Sequence, residues 1–147
     1  MDIVGSVLNI IIVFVIVLCM ITLYSLQRDF MRNRKIMNEI VQLIDVVTDS
    51  GTLSESRLRD FHLSIAEHGI LSEINITRFI SVINPAPDGG IQETYIPVPF
   101  TNYFNKTDII QVKVTAVELS TAQRLLGKFF RFPLNSLDIT LAGMVRH

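Results

Sequence analysis

The chain reads as an α+β protein in which a long N-terminal helix, apolar in its first half and amphipathic in its second, packs on a small antiparallel sheet with a short second helix. Three observations predict this. From Ile3 to Gln27 no residue carries a charge at neutral pH. From Arg28 to Ser50 there is neither Gly nor Pro, and Ile36, Ile40, Leu43 and Val47 recur at helical spacing. Beyond these, three segments alternate apolar and polar residues as half-buried strands do.

The first helix begins near Asp2. Its apolar stretch is too long for a secretory h-region, which runs about 7 to 15 residues behind a basic n-region. A helix rising about 1.5 Å per residue crosses a ~30 Å hydrocarbon core with roughly 20 residues, so Ile3–Gln27 is long enough to span. After Arg28, Arg32, Arg34 and Lys35 the same helix continues, with Met37, Val41 and Ile44 beside the main stripe and charges of both signs on the other sides. Gly51 in "TDSG" is its expected stop. A helix from Asp2 to Ser50 is roughly 70 Å long, more than a small domain can cover. Its outer half must therefore pack against lipid, against other copies, or both.

The remaining elements follow in order. "TLSESRLRDFHLSIAEHG" predicts a short helix with a capping box from Thr52 to Glu55, an apolar face of Leu58, Phe61 and Ile65, and Gly69 as its end. "EINITRFISVI" predicts a strand with Ile74, Ile76, Ile80 and Val82 on one side. "NPAPDGG" is the strongest turn cluster. In "IQETYIPVPFTNYFNKTD", Pro97 and Pro99 cannot donate to a ladder, which confines the segment to an edge strand or a surface excursion. Ile110, Val112, Val114 and Ala116 mark a strand, as do Leu137, Ile139 and Leu141. Three strands on the lower half of the long helix bury both apolar faces at once.

Composition fits an anchor with one head. Of 147 residues 49% are hydrophobic, and the excess lies at the N-terminus. Residues 1–27 are expected to form the apolar helix, a membrane anchor, and residues 28–147 the helix continuation and a small α+β head. The net charge of -1 offers no basic field for nucleic acid, and the single cysteine, Cys19, excludes a disulfide within the chain and reads as an apolar residue of the span. No GxSxG, phosphate loop or paired acid suggests catalysis, and no cofactor is expected. His62, Glu67 and His68 are the nearest approach to a metal set, but the two histidines are six apart on different helix faces. "NIT" at Asn75 and "NKT" at Asn105 fit the glycosylation acceptor pattern, with Asn75 the poorer because it lies in a strand.

The long helix feeding a small antiparallel sheet resembles a type IV pilin. More narrowly, "IVQLIDVVTDSGTLSESRLRDFHLSIAEHGILSEINI", read as helix, "SG", short helix, Gly and first strand, is similar to the small pilin-like proteins near the TadE-like group. These occur in tight-adherence-type pilus and conjugation-linked gene sets of Gram-positive bacteria. "KTDIIQVKVTAVEL" and a last strand ending in "MVRH" fit the same pattern. The resemblance implies a structural subunit that polymerises with itself as a helical homo-oligomer through its apolar helix, sits in the cytoplasmic membrane beforehand, and meets a prepilin peptidase and pilus assembly machinery. It implies a place in a surface filament, with cell adhesion among the roles. The alternative is a membrane-anchored accessory component of a pilus, secretion or conjugation machine that does not polymerise in bulk. A tethered enzyme or sensor is a third class, with no catalytic constellation behind it.

Two departures stand out. Pilins carry Glu at the fifth mature position, where it meets a neighbour's amino terminus; here that residue is Gly5 and the early acid is Asp2. Asp2 is thus a candidate for terminal charge pairing, or it sits at the positive end of the helix dipole. Pilins also often break the helix midway, whereas after Gly5 this chain has no Gly or Pro until Gly51.

Ile3, Val7, Ile11, Val15 and Leu18 are the candidates for filament-core packing. Gly5, Ser6 and Asn9 allow either close helix approach or ordinary lipid exposure. Tyr95, Phe100, Tyr103 and Phe104, on the irregular stretch from Asn84 to Asp108, are candidates either for a head-to-head contact or for the head's own core. Topology has two readings. If Met1 is the initiator, the basic cluster from Arg28 to Lys35 stays in the cytoplasm with the head. If a basic leader has been removed, the head is exported.

Overall fold

A computed structural model describes residues 3–131 and 135–146. The elements are α1 (Ile3–Ser50), α2 (Glu55–Glu67), β1 (Ser72–Pro85), β2 (Ile91–Val98), β3 (Ile109–Ala116), α3 (Thr121–Phe130) and β4 (Asp138–Met144). The fold is α+β, with an antiparallel sheet ordered β2-β1-β3-β4. The chain divides into two compact units. One holds α1 up to Arg34 together with Leu119–Asn135; the other holds Lys35–Glu118 and the C-terminal segment from Ser136. The division between these units falls after Arg34, and the segment carrying α3 groups with the apolar half of α1.

In the head unit three side-chain rows cross β1, β3 and β4. Ile74, Val114 and Ile139 form one, Ile76, Val112 and Leu141 the next, and Arg78, Ile110 and Gly143 the third. The α1 stripe of Ile36, Ile40, Leu43, Ile44 and Val47 is buried in the same core as Val112 and Val114, joined by Phe61 and Ile65 of α2. Gly143 permits the close approach of helix and sheet: a Cβ there would overlap the Ile44 methyl Cγ2 and come within 3.0 Å of Thr48 Cγ2. The Arg146 N–H donates to the Thr48 carbonyl at 3.0 Å, fixing β4 to the helix end.

The helix stops as expected. Gly51 takes φ +65 and its N–H donates to Val47 O at 2.8 Å, the left-handed exit that glycine makes without strain. The second cap differs from expectation: Ser54, not Thr52, caps α2 by accepting from Arg57 N–H. Thr52 is instead in a bridge with Tyr103, which removes it from the helix start. Gly69 closes α2 at φ +71.

The segment with Pro97 is the edge strand β2, joined to β1 through a turn in which the Ala86 N–H donates to Gly90 O at 2.9 Å. Among the described residues the sheet therefore has four strands rather than three, and within the stretch expected to be irregular Ile91–Val98 is paired. Pro97 stands opposite Phe79 on an edge where its missing N–H costs no central ladder bond. β1 outruns its other neighbour: its pairing with β3 ends at Phe79, while its pairing with β2 continues to Pro85.

Candidate membrane anchor and assembly face

The apolar half of α1 is long and apolar enough to cross a membrane, and its most apolar window is wholly unburied. Such a helix is compatible with membrane anchoring. Among the packing candidates, Ile3 is 76% exposed, and Val7, Ile11 and Val15 are exposed to about half their surface, while Leu18 is half-buried. Asp2 lies outside the described residues.

At about 3.6 residues per turn, Val7, Ile11, Val15, Leu18, Thr22, Ser25 and Asp29 fall on one helix face. The lower part of that face, from Leu18 to Asp29, is withdrawn from water. The reason is α3. A groove lined by Cys19, Thr22, Leu23, Leu26, Leu126 and Phe130 shows the second half of α3 lying beside the last turns of the apolar stretch. Ala122 is fully buried in this unit, and Thr22 is buried with its hydroxyl donating to Leu18 O at 2.8 Å. That bond satisfies the one polar atom Thr22 brings to an apolar contact. Asp29 pairs with Arg32 at 3.1 Å, one turn on.

α3 was not anticipated. Its sequence signal is Ser120-x-x-Gln123, a reciprocal capping box: Ser120 Oγ accepts from Gln123 N–H, and Gln123 Oε1 accepts from Ser120 N–H. Leu125, Leu126, Phe129 and Phe130 then follow at helical spacing.

The four rings on the head part company. Phe104 belongs to the core at 7% exposure, which removes it from the contact candidates. Its N–H donates to Gly51 O at 2.8 Å, so the segment after β2 is tied to the end of α1 instead of projecting from the head. Phe100 packs edge-on against Phe104, with centroids 6.2 Å apart. Tyr95 is half-buried on β2 and donates to Glu93 Oε1 at 3.2 Å. Loss of surrounding water, then that hydrogen bond, then the Glu93 charge raise its phenol above the ordinary value of 10.0. Tyr103, 74% exposed, is the ring most open to a partner.

One further device holds the head. Arg78 lies on the core face of β1, where Ile74 and Ile76 precede it, and its guanidinium meets the buried Asp108 carboxylate, with Nε 2.8 Å and Nη2 2.6 Å from Oδ2. Asn105 N–H donates to the same oxygen at 2.7 Å, and Arg78 Nη1 donates to Thr101 Oγ1 at 2.7 Å. The guanidinium also lies 5.7 Å from the Phe104 ring centroid. A charge buried on an apolar strand face requires such a set of partners, and a lone Arg among Ile residues was its signal in the sequence.

His62 is exposed on α2, and among the described residues no group of three or more His, Cys, Asp or Glu could hold a metal ion. Asn75 is exposed in β1 and Asn105 exposed in the loop before β3. Comparison with protein-family models, with curated proteins and with solved structures gives no match.

Proposed function

We propose that the protein is a membrane-anchored structural subunit of a type IV-like pilus, held in the cytoplasmic membrane before assembly and polymerising through the apolar half of α1. The observation that carries this reading is the face of Ile3, Val7, Ile11 and Val15: it is exposed, apolar, and continuous in one helix with a stripe seated in the head. A helix apolar on all sides needs an apolar surround, which lipid supplies first and like helices afterwards. Negative-stain images of material sheared from expressing cells test it. Thin filaments that bind antibody to the head are the expected result; absence of filaments from cells holding the folded protein in their membranes contradicts it.

The accessory reading has one observation in its favour. α3 lies beside Cys19, Thr22, Leu23 and Leu26 of the same helix, so bundling at that level is limited to the sides α3 leaves open. A protein that remains in the membrane and does not polymerise in bulk fits that cover equally well, and the same images separate the two.

A further inference from the structure

We propose that α3 is an interfacial membrane helix whose Phe129 and Phe130 flank enters the acyl-to-headgroup boundary of the bilayer crossed by α1, with Lys128 and Arg131 at anionic headgroups. The proposal rests on the reading of Ile3–Leu26 as the membrane-crossing segment. The uncharged run ends at Gln27 and Arg28 follows it, so the C-terminal boundary of the span lies in the last turns before Arg28. That is the level at which α3 lies, since Leu126 and Phe130 share a groove with Cys19, Thr22, Leu23 and Leu26.

Contact with α1 uses only part of the apolar side of α3. Ala122 is fully buried, but Phe129 and Phe130 remain 51% and 53% exposed. Phe130 lines one groove with Leu23, itself 66% exposed, and so extends its apolar surface, with Phe129 next to it in the chain. Two half-open phenyl rings continuous with a membrane span have lipid as their natural cover.

The charges agree. From Thr121 to Arg131 there are three basic residues and no acid. Lys128 and Arg131 are exposed on the side of α3 away from the apolar face. Basic residues on one side and Phe and Leu on the other are the marks of a helix lying at an anionic surface.

The chain has no tryptophan, so a single substitution gives a unique fluorophore. The full chain carrying Phe130→Trp, Val13→Trp or Tyr103→Trp is reconstituted in vesicles of phosphatidylcholine with phosphatidylglycerol, brominated either near the headgroup or deep in the acyl chain. Phe129→Trp serves if Phe130→Trp misfolds. Quenching of the position-130 probe by shallow bromines, of the position-13 probe by deep ones, and of neither kind at position 103 supports the proposal. A quenched position 13 with an unquenched position 130 overturns it and leaves the membrane-crossing reading of α1 intact. A position-130 probe whose emission is blue-shifted but unquenched means that protein, such as a second copy, covers the flank, and also overturns it. If position 13 is unquenched as well, the membrane-crossing reading fails and the proposal falls with it. Lys128→Gln and Arg131→Gln should each lower the ratio of lipid-docked to undocked α3 roughly five-fold in the anionic vesicles. Unchanged shallow quenching in the double variant overturns the headgroup assignment.

Discussion

Between Lys35 and Ser50, α1 carries Ile36, Ile40, Leu43, Ile44 and Val47, none more than 7% exposed. Between Ile3 and Leu26 the same helix carries a denser set of apolar residues, and nearly all of them face outward. The difference lies in arrangement. In the lower half the apolar residues form one stripe, which a single sheet with alternating Ile110, Val112 and Val114 can cover. In the upper half they encircle the helix, and one neighbouring helix, α3, touches only the last turns of one face. A stripe is an instruction to fold onto the chain's own sheet; a full circumference calls for a surround that one small chain cannot supply.

That contrast can be broken from either side. The largest effect on assembly is expected from Val15→Asp, which places a charge on the uncovered face. Filament formation should be lost while the head keeps its unfolding midpoint, and electron microscopy with denaturation of the solubilised protein checks both. In the head, Arg78→Ala should cost roughly 3 to 5 kcal/mol, because it leaves the buried Asp108 carboxylate without its partner. Ile40→Ala should cost about 2 to 5 kcal/mol, by deletion of buried methylene groups and the cavity left behind. A loss below about half a kcal/mol would mean that the stripe is not core. Smallest of the four, Gly143→Ala should cost about 1 to 3 kcal/mol, since its new methyl forces Ile44 and Thr48 aside. Denaturant titration in detergent measures all three head variants, and none of them should impair membrane retention.

Much of this fold is legible from residue spacing. The α1 stripe, the Gly51 stop, β3 and β4 follow from periods near 3.6 and 2 together with a glycine at positive φ. Pro97 marks an edge because a missing donor is tolerated only there. Other features depend on tertiary partners. Thr52 and Ser54 are both acceptable caps locally, and the bridge from Thr52 to Tyr103 decides between them. Phe104 and Tyr103 are adjacent rings, yet only the one beside Arg78 and Gly51 O turns inward. α3 follows a clear strand and is only ten residues long, so its capping box was the one local mark of its start. Of the proposed assembly face, Ile3 to Val15 is readable as apolar helix, whereas the α3 residues beside Cys19 and Thr22 come from a segment distant in sequence.

The central claim is that the upper half of α1 is covered by lipid or by other copies and never by its own head. Light scattering on the purified full chain, eluted from size-exclusion chromatography after detergent removal, tests this most directly. The account predicts no monomer: the protein should emerge as filaments, as larger assemblies, or within added bilayer particles, with its head folded throughout. A monodisperse, folded monomer in detergent-free buffer would show that the chain covers its own apolar helix and would contradict the account.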